Sequence, residues 1–253
     1  MLPDPTLPAS LLAVLANLRG GFTTPSFATF VALATGLIAN TGKGTVTGML
    51  TGAGLARHWS HDRAHKFFSR AAWSGDTLGM YLSRLIVRRL LPDGAAITVA
   101  VDDTLFKKRG KKVFGAGWQH DGAARGKDGV GFGVCFVVVG IIVELPFLTR
   151  PVCLPGAVRL WRPKVGPSKV EIAADLVKLL AAWHRDRKIH VVADACTVPK
   201  LAYMGADQLV RRVGQAARWY SWMVVPLTCR PRICPSIGMT SAMSASGGVW
   251  SRA

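Results

Sequence analysis

Two short apolar segments that each end on an aspartate constrain the fold of this chain more than any other feature. They are Ile97–Asp103 (ITVAVDD) and Lys188–Asp194 (KIHVVAD). Segments this short and this rich in β-branched residues predict buried strands. If the two strands lie side by side and parallel, about 4.8 Å apart, their last residues meet at one edge of a sheet. The sequence therefore predicts that Asp103 and Asp194 lie close enough to share a divalent metal ion.

The sequence between these segments predicts the helix that joins two parallel strands. Ser168 followed by Glu171 forms a capping box. An apolar stripe at helical spacing follows it and consists of Ile172, Leu176, Leu180 and Trp183. His184 and Arg185 then suit the negative C-terminal end of the helix. A strand, a crossover helix and another strand imply that the last strand runs parallel to the first.

The chain divides into three regions of different character. The first 92 residues read as helical and end at a turn signal, Pro92–Gly94. Residues 93–195 carry the strands, which also include Val134–Val143 and Leu145–Val152. Residues 196–253 show neither helical nor strand periodicity and contain one acidic residue, Asp207. We therefore predict an α/β fold with a mixed sheet and a crossover helix, preceded by an all-helical N-terminal region and followed by an atypical tail.

Two adjacent aspartates end the first segment, and strand geometry allows only one of them to point into a given site. Alternation places Asp103 on the face of Val99 and Val101, and Asp102 on the face of Ala100. We favour Asp103 as the functional residue and keep Asp102 as the alternative. An aspartate at a strand end also commonly forms a turn or caps a helix.

A dense group of cations follows these aspartates and favours a polyanionic partner. Five of six consecutive residues are basic: Lys107, Lys108, Arg109, Lys111 and Lys112. The whole chain has 32 Lys and Arg against 14 Asp and Glu, a net charge of +18. Such a surplus is typical of proteins that bind nucleic acid through phosphate contacts. The alternatives are a solvated hairpin tip for the cluster, and a generally basic protein or an affinity for anionic membranes for the net charge.

Basic and aromatic residues also alternate over Trp59–Trp73 (WSHDRAHKFFSRAAW). A helix here could present Arg63, Lys66 and Arg70 to a DNA groove or to phosphates. An amphipathic helix with buried aromatics and solvated charges explains the pattern equally well. The histidines of this segment lack a carboxylate partner in a metal-binding motif, so we do not predict a zinc site.

Other functions are disfavoured by the remaining motifs. The five cysteines form no CxxC pair, which favours reduced thiols and a cytoplasmic protein. The glycine spacing around Thr41–Gly44 departs from that of a phosphate-binding loop, which disfavours ATP. Only Val130–Leu148 approaches a membrane-spanning segment in length and hydropathy. Its glycines, its proline and its β-branched residues favour two buried strands instead.

Several of these segments resemble the DDE transposases of bacterial insertion sequences, of the IS701-like type within the wider IS4-like group. They are VDDTLFKKRGKKVFGAGWQHDG (Val101–Gly122), SKVEIAADLVKLLAAW (Ser168–Trp183), HVVADA (His190–Ala195) and SHDRAHKFFSRAAW (Ser60–Trp73). The resemblance covers roughly residues 20–195. It implies an RNase H-like core in which two aspartates and a glutamate bind two Mg²⁺ (or Mn²⁺) ions for the cleavage and transfer of DNA strands.

Carried over by motif, the resemblance makes Asp103 the first metal ligand and Asp194 the second. The third ligand has no counterpart, because the family's glutamate follows the second aspartate, whereas the only glutamates here, Glu144 and Glu171, precede it. The resemblance also ends abruptly at Ala195, as a frameshift would produce. We therefore expect an incomplete DNA transposase that binds transposon ends and target DNA, does not enter a membrane and has a homodimer as its candidate assembly. The alternative is a non-catalytic DNA-binding remnant.

Overall fold

A five-stranded mixed sheet lies at the centre of this protein, whose computed structural model describes residues 8–42, 44–108, 110, 112–121 and 129–193. The strands are β1 (Ile97–Lys107), β2 (Gly117–His120), β3 (Val130–Val143), β4 (Val152–Trp161) and β5 (Ile189–Val192). Strand β3 pairs antiparallel with β1 on one side and with β2 and β4 on the other. Strand β5 pairs parallel with β1. The predicted α/β class, the mixed sheet and the parallel relation of the first and last strands are confirmed.

Most of the described helices precede the strands in the chain, and a further helix lies between two strands in sequence. Those before β1 are α1 (Ala9–Ala16), α2 (Thr24–Ala39), α3 (Val46–Gly52), α4 (His61–Ser69) and α5 (Gly75–Leu90), with a short 3₁₀ turn at Arg19–Gly21. Helix α6 (Lys169–Trp183) connects β4 to β5. The crossover helix is therefore present where the capping box and the apolar stripe predict it.

The larger hydrophobic core lies between one face of the sheet and helices α5 and α6. Val99 of β1, Ile141 of β3 and Leu176 of α6 are completely buried in it. Gly79 of α5 comes so close to β4 that a Cβ atom would lie 2.7 Å from the Gly156 carbonyl oxygen. The two helices thus cover the sheet face on which the odd-numbered residues of β1 lie.

A second core joins helices α2, α3 and α4. Leu33, Leu50 and Phe67 are buried in it, and Trp73 packs against them. The Trp73 indole donates a hydrogen bond to the Phe67 carbonyl oxygen over 2.9 Å, and the two rings stack with centroids 5.5 Å apart. This core holds α4 against α2 and α3.

Helix α6 begins as predicted and ends differently. The Ser168 hydroxyl accepts a hydrogen bond from the Glu171 backbone, and the Glu171 carboxylate accepts one from the Ser168 backbone, so the capping box is complete. At the other end, Arg185 donates to the Ala182 carbonyl oxygen as expected of a cation there. His184 instead lies buried beside Ser83, and burial lowers its pKa. The prediction that His184 supplies a positive charge to the helix end is therefore wrong.

Two predicted strand boundaries are also wrong. Strand β1 does not end at Asp103 but continues to Lys107, because residues 103–107 keep pairing with residues 133–137 of β3. The strand predicted over Leu145–Val152 is absent, and β4 begins at Val152. Pro146 has no backbone N–H to donate to a neighbouring strand, and the Leu148 N–H donates to the Leu145 carbonyl oxygen in a turn.

The apolar segment Val130–Leu148 consists of strand β3 and the turn that follows it. No helix within the described residues is long and apolar enough to cross a membrane.

Candidate active site

Asp103 lies in β1 just beyond the point at which the neighbouring parallel strand ends. The last paired residues of β1 and β5 are Ala100 and Val192. Asp103 is three positions further along β1, and its side chain is 45% exposed. Asp194 lies outside the described residues, so a metal shared by the two carboxylates stays a prediction. The pairing of the two strands, on which that prediction depends, is present.

The two adjacent aspartates point to opposite faces of the sheet, as alternation requires. The Asp103 carboxylate contacts Lys169 of α6 and Cys135 of β3, which places it on the helix-covered face. Asp102 lies on the other face. Burial of the Cys153 thiol raises its pKa, and the Asp102 charge adds to this shift. One metal site on one face therefore cannot use both aspartates.

The Asp103 carboxylate accepts two hydrogen bonds through the same oxygen atom. The Lys169 ammonium donates to Oδ2 over 2.6 Å, and the Cys135 thiol donates to Oδ2 over 3.3 Å. The Lys169 Nζ atom also lies 4.8 Å from the centre of the Trp161 ring. Asp103 is therefore held by neighbours from β3 and α6, and Trp161 of β4 contacts the lysine.

The protonation states of these neighbours follow from their surroundings. Burial raises the pKa of Cys135 to about 11, and the nearby Asp103 charge adds to the effect while Lys169 opposes it. The thiol is therefore neutral and can donate to the carboxylate. Burial lowers the pKa of Lys169, but its hydrogen bond to Asp103 and the Asp103 charge outweigh burial, so that the net shift is upward. Lys169 therefore remains a cation.

Arg159 occupies the same row of the sheet as Asp103, with Val137 of β3 between them. Its guanidinium binds both carboxylate oxygens of Asp76, at the start of α5, over 2.7–3.1 Å. It also lies 3.6 Å from Asp175 of α6. Arg159 thus connects β4 to both helices that border the site.

The donor chemistry of Asp103 suits a hard divalent cation, because carboxylate oxygens are the ligands that Mg²⁺ prefers. The described part of the chain contains no group of three or more His, Cys, Asp or Glu side chains that could hold a metal ion. Within that part, Asp103 therefore does not belong to a cluster of this size.

The basic segment after β1 does not connect two strands that pair with each other, as the alternative of a hairpin tip requires. Strands β1 and β2 pair with opposite sides of β3, so the residues between them cross from one side of β3 to the other. Lys108 and Lys112 are exposed there. Lys107 forms an ion pair of 2.7 Å with Asp121, whose side chain is 5% exposed. Arg109 and Lys111 lie outside the described residues.

Helix α4 presents the predicted basic residues to solvent. Arg63, Lys66 and the following Arg70 are exposed, whereas Phe67 is buried. The Arg63 guanidinium stacks over the Trp59 ring at 3.7 Å. This arrangement agrees with both a DNA-binding helix and an amphipathic helix with solvated charges, so DNA contact by α4 stays a prediction.

Three residues of this site were missed by sequence reasoning: Lys169, Cys135 and Arg159. One sequence signal could have identified Lys169, because a cation at the first position of a helix opposes the helix dipole. The other two lie in β3 and β4 and reach the site only through strand register. The β4 register could not be predicted after the β4 boundaries were misplaced.

The fold and the site together define a mixed α/β protein with an acidic residue in the first strand and a crossover helix beside it. The chain matches the DDE superfamily endonuclease family over residues 17–220 and belongs to that family. Membership indicates a nuclease of the transposase type. No curated protein and no solved structure matches the chain. The match continues past Ala195, so the expectation that the resemblance ends there is wrong, and the matched range includes Asp207.

Proposed function

We propose that this chain is a transposase of the IS701-like type, whose RNase H-like core cuts DNA strands and transfers them to target DNA. Asp103 and Asp194 act as its metal ligands. The observation that carries the proposal, beside family membership, is the half-exposed Asp103 carboxylate on β1, next to the end of the parallel strand that leads to Asp194.

The residues around Asp103 suit this role. Bound Mg²⁺ or Mn²⁺ would stabilise the charge that develops on the attacking and leaving oxygens of a phosphodiester. Asp103 supplies a hard oxygen ligand, and the neutral Cys135 thiol fixes the orientation of its carboxylate. Lys108 and Lys112 are exposed beyond the end of β1, where cations favour a phosphate backbone.

The partners follow from the same proposal. DNA at transposon ends and at the target supplies the polyanion that the net charge of +18 favours. Strand transfer between two ends suits a homodimer, and the cysteine pattern favours a cytoplasmic protein.

Cleavage assays with paired aspartate variants test the assignment of the site. Asp103→Asn should reduce Mn²⁺-dependent nicking of plasmid DNA by about 100-fold or more, because an amide is a poor replacement for a charged metal ligand. Asp102→Asn is the matched control, since it removes the same charge from the opposite face, and it should keep most of the activity. Melting curves show whether both variants fold. The reverse ranking would assign the site to Asp102.

A second candidate is a DNA-binding remnant without catalysis. The positions of the glutamates in the chain favour it. Glu144 and Glu171 are the only two, and both precede Asp194 in the chain. Glu171 is also engaged in the capping box, and its hydrogen bonds to Ser168 lower its pKa. Asp207 is then the one acidic residue after Asp194. DNA binding by the unaltered chain without any nicking in Mg²⁺ or Mn²⁺ would establish the remnant.

A further inference from the structure

We propose that Lys169 is a displaceable counter-ion: it holds the Asp103 carboxylate in the metal-free protein and moves to a DNA phosphate when a divalent cation and DNA bind. This inference rests on the proposed function, because it takes Asp103 to be a metal ligand. It assigns Lys169 as a positioning residue that couples metal binding to DNA binding.

The first reason is that Lys169 occupies a place that disfavours a cation. It is the first residue of α6, and the N-terminal end of a helix carries a partial positive charge. The capping box of Ser168 and Glu171 fixes where the helix begins, so the backbone of Lys169 cannot shift away from this end. A lysine here needs a compensating anion, and Asp103 is that anion.

The second reason is the geometry of the contact. The Lys169 Nζ atom lies 2.6 Å from Asp103 Oδ2 and over the face of Trp161, and the lysine side chain is 27% exposed. The side chain is thus partly shielded by its neighbours and partly open to solvent. The ammonium can leave the carboxylate without unpacking the core.

The third reason is that Lys169 and a metal ion compete for the charge of one carboxylate. A divalent ion binds a carboxylate oxygen at about 2.1 Å, and the ammonium already lies against Oδ2. Two cations on the same oxygen repel each other strongly when partly shielded from water. A metal ion ligated by Asp103 must therefore either displace Lys169 or bind weakly.

DNA offers the displaced ammonium a new partner. A phosphate oxygen accepts a charge-assisted hydrogen bond as well as a carboxylate does. The protein should then bind metal weakly alone and more tightly with DNA, and by linkage the metal should strengthen DNA binding by the same factor. Such coupling keeps the nuclease from loading metal before its substrate is present.

A titration of the full chain with Mn²⁺ tests the proposal. The electron paramagnetic resonance signal of free Mn²⁺ is measured with and without a duplex oligonucleotide. In the absence of DNA, Lys169→Gln should bind Mn²⁺ about fivefold more tightly than the unaltered protein, which is the upper range for a partly exposed ion pair. Lys178→Gln is the matched control, because it removes the same charge from an exposed position of the same helix. DNA should tighten Mn²⁺ binding for the unaltered protein and for Lys178→Gln, and much less for Lys169→Gln.

Two further variants make the outcomes distinguishable. Lys169→Arg keeps the cation and should bind Mn²⁺ like the unaltered protein. Lys169→Met also removes the charge and keeps an unbranched side chain of similar length. It should bind Mn²⁺ as Lys169→Gln is expected to, and it replaces Lys169→Gln if the glutamine variant folds poorly. Equal Mn²⁺ affinities of Lys169→Gln and Lys178→Gln in the absence of DNA would overturn the inference while leaving the proposed function intact. Mn²⁺ binding that survives Asp103→Asn unchanged, or no binding by any variant, would overturn the metal site itself.

Discussion

His184 shows how one side chain changes its role when its surroundings differ from those that its sequence position suggests. It follows the last turn of α6, where a charged histidine would be favourable. In the fold its side chain reaches back to α5, and its Nε2 atom lies 3.1 Å from the Ser83 hydroxyl. Burial lowers its pKa; Asp186 opposes that shift, whereas Arg187 and Arg84 add to it. The neutral form is therefore favoured in the folded protein.

This burial predicts a loss of stability in mild acid. The pKa of His184 in the folded protein lies below the ordinary value of 6.5, so the unfolded chain takes up the proton first as the pH falls. The contribution of His184 to the free energy of unfolding should be complete above pH ~6.5 and decrease below it. His184→Gln can still hydrogen-bond to Ser83 but does not titrate, so it should show a smaller decrease. Denaturant titrations at pH values on both sides of 6.5 measure the difference, and equal decreases in both proteins would contradict the prediction.

At the scale of elements, the contact between α2 and α3 depends on two glycines. A Cβ atom at Gly36 would lie 1.8 Å from the Met49 carbonyl oxygen, and one at Gly52 would lie 2.3 Å from the Gly36 carbonyl oxygen. The two backbones therefore approach more closely than any other residue would allow. This contact positions α3 in the core that also supports α4.

Gly36→Ala should consequently destabilise the protein by about 1–3 kcal/mol, as overpacking of a rigid contact does. Helix propensity alone predicts the opposite sign, because alanine favours a helix over glycine by ~1 kcal/mol. Gly75→Ala, at the start of α5, has nothing within 4 Å of the added atom and serves as the control. Thermal melts of both variants compare the two effects. A Gly36→Ala protein as stable as the control would show that α2 and α3 can separate at little cost.

Local signals in the sequence predicted some elements well and others poorly. The capping box at Ser168 predicted the start of α6 because both hydrogen bonds form within three residues. The end of β1 could not be found in this way. Asp102 and Asp103 interrupt the apolar run, but the strand continues because β3 supplies backbone partners from a distant part of the chain. Pairing between remote segments overrode local polarity.

At the scale of the whole molecule, the sequence predicted that two aspartate-bearing segments would become parallel neighbours, and β1 and β5 are. It also predicted which face Asp103 occupies, because strand alternation depends on position alone. The Lys169 contact could not be predicted, since it depends on how α6 crosses the sheet. The contact between Lys107 and Asp121 was likewise beyond sequence reasoning, and it distinguishes Lys107 from the exposed Lys108 and Lys112.

This division changes what substitution of the basic segment should do to DNA binding. Each phosphate contact made by a cation adds about 0.9 to the negative slope of log affinity against log salt for duplex DNA. Lys108 and Lys112 are exposed, so Lys108→Ala combined with Lys112→Ala should flatten the slope by up to about two such contacts. Lys107→Ala should change the slope less and lower the stability more, because it breaks an ion pair with the buried Asp121 carboxylate.

The control for this experiment, Lys178→Ala combined with Lys188→Ala, removes the same net charge outside the basic segment. Lys178 and Lys188 are both exposed, on α6 and just before β5, and neither belongs to the basic segment. Fluorescence anisotropy of a labelled duplex, measured over a series of salt concentrations, gives the slope for each protein. A slope that flattens equally in the control would mean that DNA responds to the overall charge of +18 and not to the cations beyond β1. A slope that changes only when Lys108 and Lys112 are replaced would place the phosphate backbone beside the end of the strand that carries Asp103.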